Sequence, residues 1–218
     1  MEINIQCIPT DFAKTIFRIS EDNTTVWALI LVNLAYTPAF HWFINNLEFG
    51  TQYTAESIKL KLSDDMENDT KGLGKRNVTD AFKIFMVKTP LGKDHIFADV
   101  DAKDKVTSSG KEHITLNAVK RTTWKDPEPR VILYSLYKFA ENCGDYYQFT
   151  LTRLLNYSIS SDGISPTKIF GIDRNQMEKI LNGLSINYPD YINVTFTLDL
   201  DNINLHHDKT SKDVLKLF

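Results

Sequence analysis

GIDRNQMEKILNGLSINYPDYINVTFTLDLDNINL, residues 171–205, places a helix and a β-hairpin in direct succession. After Arg174, Met177, Ile180, Leu181 and Leu184 recur at helical spacing as one apolar stripe, while Asn175, Lys179 and Asn182 gather on the opposite face. Gly183 interrupts this helix and predicts either a close packing contact or an early end. From Tyr191 the period drops to two, with Ile192, Val194, Phe196, Leu198 and Leu200 on one face and a turn expected near Asp201-Asn202. Earlier in the chain, GKRNVTDAFKIFMVKTPLGKDHIFADV (residues 74–100) follows the same order. Val78, Phe82, Phe85 and Met86 form the stripe, Thr89-Pro90-Leu91-Gly92 stops it, and strands are expected at 95–100 and 113–119.

Upstream of each stripe the features again agree. A strongly apolar helix (26–35; 131–140) leads to a short aromatic run that opens an amphipathic helix (49–62; 146–155). A glycine-containing loop then ends in an Arg-Asn pair (Arg76-Asn77; Arg174-Asn175). Helix, short strand, helix, turn, helix, β-wing is the order of a winged helix, a helix-turn-helix variant whose third helix commonly reads DNA. The expected fold is therefore α+β and mainly helical, with tandem winged-helix domains packed against each other. The N-terminal one spans 1–123 and includes an N-terminal extension, WKDPEP supplies a linker over 124–130, and the C-terminal one spans 131–218.

Charge is unevenly placed. Residues 1–70 carry 4 basic and 10 acidic side chains, residues 71–130 carry 13 and 8, and residues 131–218 carry 8 and 10. The basic middle contains the third helix and wing of the first copy, where a phosphate-facing surplus belongs. Two cysteines, Cys7 and Cys143, form no framework and read as buried or free thiols of a reducing compartment. The start MEINIQCIPTDF has neither a basic run nor a long apolar core, which predicts no signal peptide and a cytoplasmic protein. Residues 26–44 are apolar but interrupted by Asn33, Pro38 and His41, so a buried core helix is expected there and no membrane partner.

Several motifs invite chemistry and fail on spacing. Gly72-Leu73-Gly74-Lys75 lacks the phosphate-loop pattern and has Arg76 where a magnesium-binding hydroxyl belongs. Asp99-Val100-Asp101 and Asp199-Leu200-Asp201 lack the glycine and glutamate of a calcium loop. His206-His207-Asp208 reads as a solvated strand end, since adjacent strand residues face opposite ways. No nucleophile, base and orienting group fall in a recognisable order, so a non-enzymatic protein without metal or cofactor is expected.

Nucleic-acid contact has residues to carry it. In the first copy these are Lys75, Arg76, Thr79 and Lys83 of the third helix with Lys103 and Lys105 of the wing. In the second they are Arg174, Asn175, Lys179 and Asn182; Arg and Asn are the types that read guanine and adenine edges. The expected partner is double-stranded DNA. The rival expectation is a protein–protein adaptor using winged helices as scaffold, which the acidic C-terminal half favours.

TTVWALILVNLAYTPAFHWFINN, GLGKRNVTDAFKIF and, in the second half, DPEPRVILYSLYKFAENCGDYYQFTLTRLL with SPTKIFGIDRNQMEKILNGLSINYP resemble an uncharacterised prokaryotic winged-helix family. That family is encoded beside phosphoadenosine-phosphosulfate-reductase-like genes in DNA-modification and phage-defence operons. The resemblance spans about two-thirds of the chain and rests on structural motifs. It implies a DNA-binding or DNA-sensing accessory role beside protein partners of a defence complex. Members carry a further N-terminal helix-turn-helix region with a His-Glu-Thr-Phe element that this sequence lacks, so no functional residue is carried over.

Overall fold

The computed structural model describes residues 9–19, 24–66, 75–106, 110, 112–157, 162–197 and 201–218, without the side chains of residues 65, 66, 75–78, 104 and 112. Cys7, the part of the glycine-containing loop over 67–74 and the strand residues Leu198 and Leu200 lie outside the described residues. The fold is α+β and mainly helical. The chain divides into two compact units. The first comprises Met1–Ile30, Pro127–Thr167 and Asp173–Phe218; the second comprises Leu31–Asp126 and Lys168–Ile172.

In the second unit, helix α3 (Pro38–Asn46) precedes strand β1 (Gln52–Thr54), helices α4 (Ala55–Met66) and α5 (Lys75–Lys88), a short α6 (Pro90–Lys93), and strands β2 (Ala98–Val106) and β3 (Glu112–Arg121). Pro38 occupies the first turn of α3, where its missing N–H costs nothing. Thr54 accepts from Ser57 N to start α4. The α4 helix continues to Met66, four residues beyond the 49–62 stretch in which an amphipathic helix is expected. The sheet is antiparallel in the order β1-β3-β2. Strands β2 and β3 are longer than the alternation predicted, because residues 102–106 continue the ladder instead of forming a turn. A bulge between Asp101 and Ala102 leaves Asn117 as the extra residue of β3. The core is aromatic: Phe43 stacks on Phe82 at 3.7 Å between centroids, and Phe40 meets Phe85 edge-on at 5.0 Å.

The first unit repeats that order. Helix α7 (Pro129–Asn142) is buried on nearly every side, with Val131, Leu133, Leu136, Tyr137 and Ala140 inaccessible. Strand β4 (Gln148–Phe149), α8 (Leu151–Leu155), α9 (Pro166–Phe170, its last three residues in the second unit), α10 (Arg174–Asn187), β5 (Ile192–Phe196) and β6 (Asp201–Leu205) follow. Its sheet order is β4-β6-β5, the same first-third-second arrangement. Met177, Leu181 and Leu184 are the buried stripe of α10. Asp201 and Asn202, expected at the hairpin turn, instead pair in β6 with Phe196 and Thr195. A Cβ added at Gly183 would meet nothing within 4 Å, and the helix does not end there but runs on to Asn187. The unit also holds α1 (Asp11–Arg18), whose buried Thr15 donates to the Leu215 carbonyl in the turn after α11 (Ser211–Val214).

Helix α2 (Thr24–Ala35) runs across the division between the units. No single described helix is long and apolar enough to cross a membrane. Helices α2 and α3 reach that length only as a pair bent by 95°, and Leu29, Val32, Phe43 and Ile44 within them are buried in protein.

Candidate nucleic-acid interface

The β2–β3 hairpin builds its outer face by simple alternation. Lys103 and Lys105 sit two residues apart on β2, both exposed, and neither forms an ion pair with a described residue. Across the ladder they face Thr115 and His113, also exposed. The Thr115 hydroxyl and His113 Nδ1 lie 3.3 Å apart. Nearer the helices the same strand carries acids instead. Asp99 pairs with His95 at 3.0 Å, and Asp101 accepts from Asn117 at 3.2 Å. The basic half of the hairpin is therefore its far half, on a side chain row that presents two ammonium groups and an imidazole together. His113 and Thr115 escaped the reading of the sequence because only the strand register sets them opposite the lysines.

The third helix of this unit presents its expected residues differently. Helix α5 does begin at Lys75, but the side chains of Lys75 and Arg76 lie outside the described residues. Thr79 is half-buried. Lys83 folds back on Asp80 at 3.2 Å, three residues earlier in the same helix. The outward positions that follow are Ala81 and Ile84, the latter 54% exposed.

In the first unit, Arg174 is held by two acids. Its Nε meets Glu178 at 3.0 Å and its Nη2 meets Asp201 at 3.3 Å. Asp201 also accepts from the backbone amides of Leu151 and Thr152 at 2.7 and 3.2 Å. One carboxylate thus ties the start of α8, the start of α10 and the first residue of β6, a role for Arg174 that spacing along the chain could not disclose. Asn175, Lys179 and Asn182 are exposed along α10, and Ile186 continues that row.

The histidines 206 and 207 do not converge. His206 is hydrogen-bonded through Nε2 to Asn193, while His207 is exposed. Among the described residues no group of three or more His, Cys, Asp or Glu side chains is placed to hold a metal ion. The Gly72–Gly74 segment lies outside the described residues. No family model, curated protein or solved structure matches the chain.

Proposed function

We propose that both units are winged helices and that the protein is a non-enzymatic, duplex-DNA-binding accessory factor whose main nucleic-acid contact is the wing of the second unit. The shared order of helix, strand, helices and hairpin, with first-third-second strand pairing in each sheet, supports the winged-helix reading. The observation that carries the function is the exposed row of Lys103 and Lys105 with His113 on the far half of the hairpin, its lysines in no ion pair with a described residue. Such a row supplies phosphate contacts, which give affinity without sequence selection. The resemblance of the sequence to the family described above supports a place in a bacterial phage-defence or DNA-modification system.

The test is an anisotropy titration of the full chain with labelled duplex DNA at several salt concentrations. Binding is expected to weaken steeply with salt, and Lys103→Ala with Lys105→Ala together to reduce the slope of log K against log salt by about 1.8, at roughly 0.9 for each phosphate contact. An unchanged slope removes the wing from the interface.

A specific feature favours a second reading, the protein–protein adaptor. The described outward positions of α5 are apolar at Ala81 and Ile84, and the arginine of α10 is already paired twice within its own unit. Absence of any DNA binding at low salt selects this reading.

A further inference from the structure

In the first unit an open cleft of about 570 Å³ lies between residues 145–148 and residues 204–208. Its framework is fixed from behind. Tyr137, buried in α7, donates to the carbonyls of Tyr191 at 2.8 Å and His206 at 3.1 Å. Leu205 N donates to the Tyr147 carbonyl at 2.8 Å, and Asn193 holds the His206 ring. Gly144 and Asp145 both have positive φ, 77° and 58°, so the chain turns sharply after α7 and sets Tyr146 on the rim. The Tyr146 ring is 61% exposed, and its hydroxyl bonds to no described residue.

The lining combines Tyr146 and Tyr147 with the carboxylates Asp145 and Asp208 and the imidazoles of His206 and His207, and includes no lysine or arginine. Asp208 pairs with the adjacent Lys209 at 3.2 Å, whereas Asp145 takes only a long hydrogen bond from Tyr147 at 3.4 Å. The Tyr147 phenol is pushed up by burial and then by the nearby charges of Asp145 and Glu141, consistent with a negative local potential. An aromatic face beside an underused carboxylate suits a cation and disfavours phosphate.

We propose that this cleft binds the side chain of an arginine on a basic segment of a partner protein, the guanidinium stacking on Tyr146 and donating to Asp145. Arginine fits better than a compact ammonium because its planar fork can stack and donate at once. The cleft belongs to the first unit and the wing to the second, so the proposal stands independently of the DNA-binding reading.

Amide NMR shifts of the full chain test it, using an octapeptide with one central arginine, the same peptide with citrulline there, and N-acetyl-arginine amide. The arginine peptide is expected to shift residues 145–148 and 204–208 saturably, and the neutral citrulline peptide to leave them in place. Asp145→Asn should weaken binding about tenfold, the loss typical of a charge-assisted hydrogen bond. Asparagine tolerates the left-handed backbone at this position as aspartate does, and an unchanged spectrum elsewhere reports the intact fold. Tyr146→Ala should weaken binding and Tyr146→Phe should retain it, which separates the ring from its hydroxyl. Equal binding of the citrulline peptide, or parental binding by Asp145→Asn, overturns the proposal. If N-acetyl-arginine amide binds as tightly as the peptide, the occupant is a free small cation and the partner-protein assignment fails.

Discussion

Arg121 ends β3 almost fully buried, and its guanidinium spends its donors on carbonyls. Nη1 donates to Ile44 and Leu47 at 3.1 and 3.2 Å, and Nη2 donates to Lys168 and Ile169 at 2.9 and 3.0 Å. The two sets lie at the end of α3 and within α9, where the unspent carbonyls of short helices need donors. Phe49 and Phe97 hold the group at 3.9 and 4.9 Å from their ring centroids. Arg121→Met should cost about 3 kcal/mol or more, because four buried acceptors lose a donor at once. Arg121→Lys should recover little, since one ammonium cannot reach both helices; urea midpoints measure both, and a neutral lysine variant shows that charge without the fork is enough. Gly171 is bound to the same neighbourhood. Its φ is 68°, and an added Cβ would lie 2.6 Å from the Phe49 ring, so strain and clash act together there.

Elements in this chain are set mostly by their ends. Asp213 and Thr210 form a reciprocal capping box on α11. The hydrogen bond from Lys216, followed by that from Thr210, holds the Asp213 carboxyl below the usual aspartate range. Its stabilising contribution is complete at pH values above the unfolded aspartate pKa and is lost as pH falls through the depressed folded value. Asp213→Ala should cost about 1 kcal/mol at neutral pH and flatten that acid limb; a stability-against-pH profile identical to the parent's would refute the assignment. Helix α10 offers the opposite case. A Cβ at Gly183 meets nothing within 4 Å, so Gly183→Ala should raise stability by about 0.5–1 kcal/mol. A denaturation midpoint that falls instead would mean that the helix does not accommodate the added methyl group there.

For the molecule as a whole, the surplus of basic residues in 71–130 acquires a direction only through strand pairing. The bulge and register of β2 and β3 set Lys103 and Lys105 on one face and place His113 and Thr115 across from them. The matching helix in the first unit has its arginine neutralised by Glu178 and Asp201. Arg174→Ala should therefore act on stability, through the loss of a bridge linking α8, α10 and β6, more than on DNA affinity. The comparison is with Lys103→Ala plus Lys105→Ala, expected to reduce affinity and salt slope while leaving the thermal midpoint within the small range of surface changes. Reversal of these two patterns would exchange the roles given to the units.

Periodicity determined the helices and strands of this protein because burial on one face of an element needs no knowledge of its neighbours. The stripe of α10 and the all-round apolar α7 are local properties, legible residue by residue. Hairpin limits were less legible, since residues 103–105 are charged and extend as strand only because β3 pairs with them. The passage of residues 168–172 into the second unit, the carbonyl cage of Arg121 and the ion pair of Arg174 with Asp201 join residues tens of positions apart. Tertiary structure alone decided those, because a hydrogen bond or ion pair depends on distance in space, and no composition or spacing along the chain encodes which distant groups will meet.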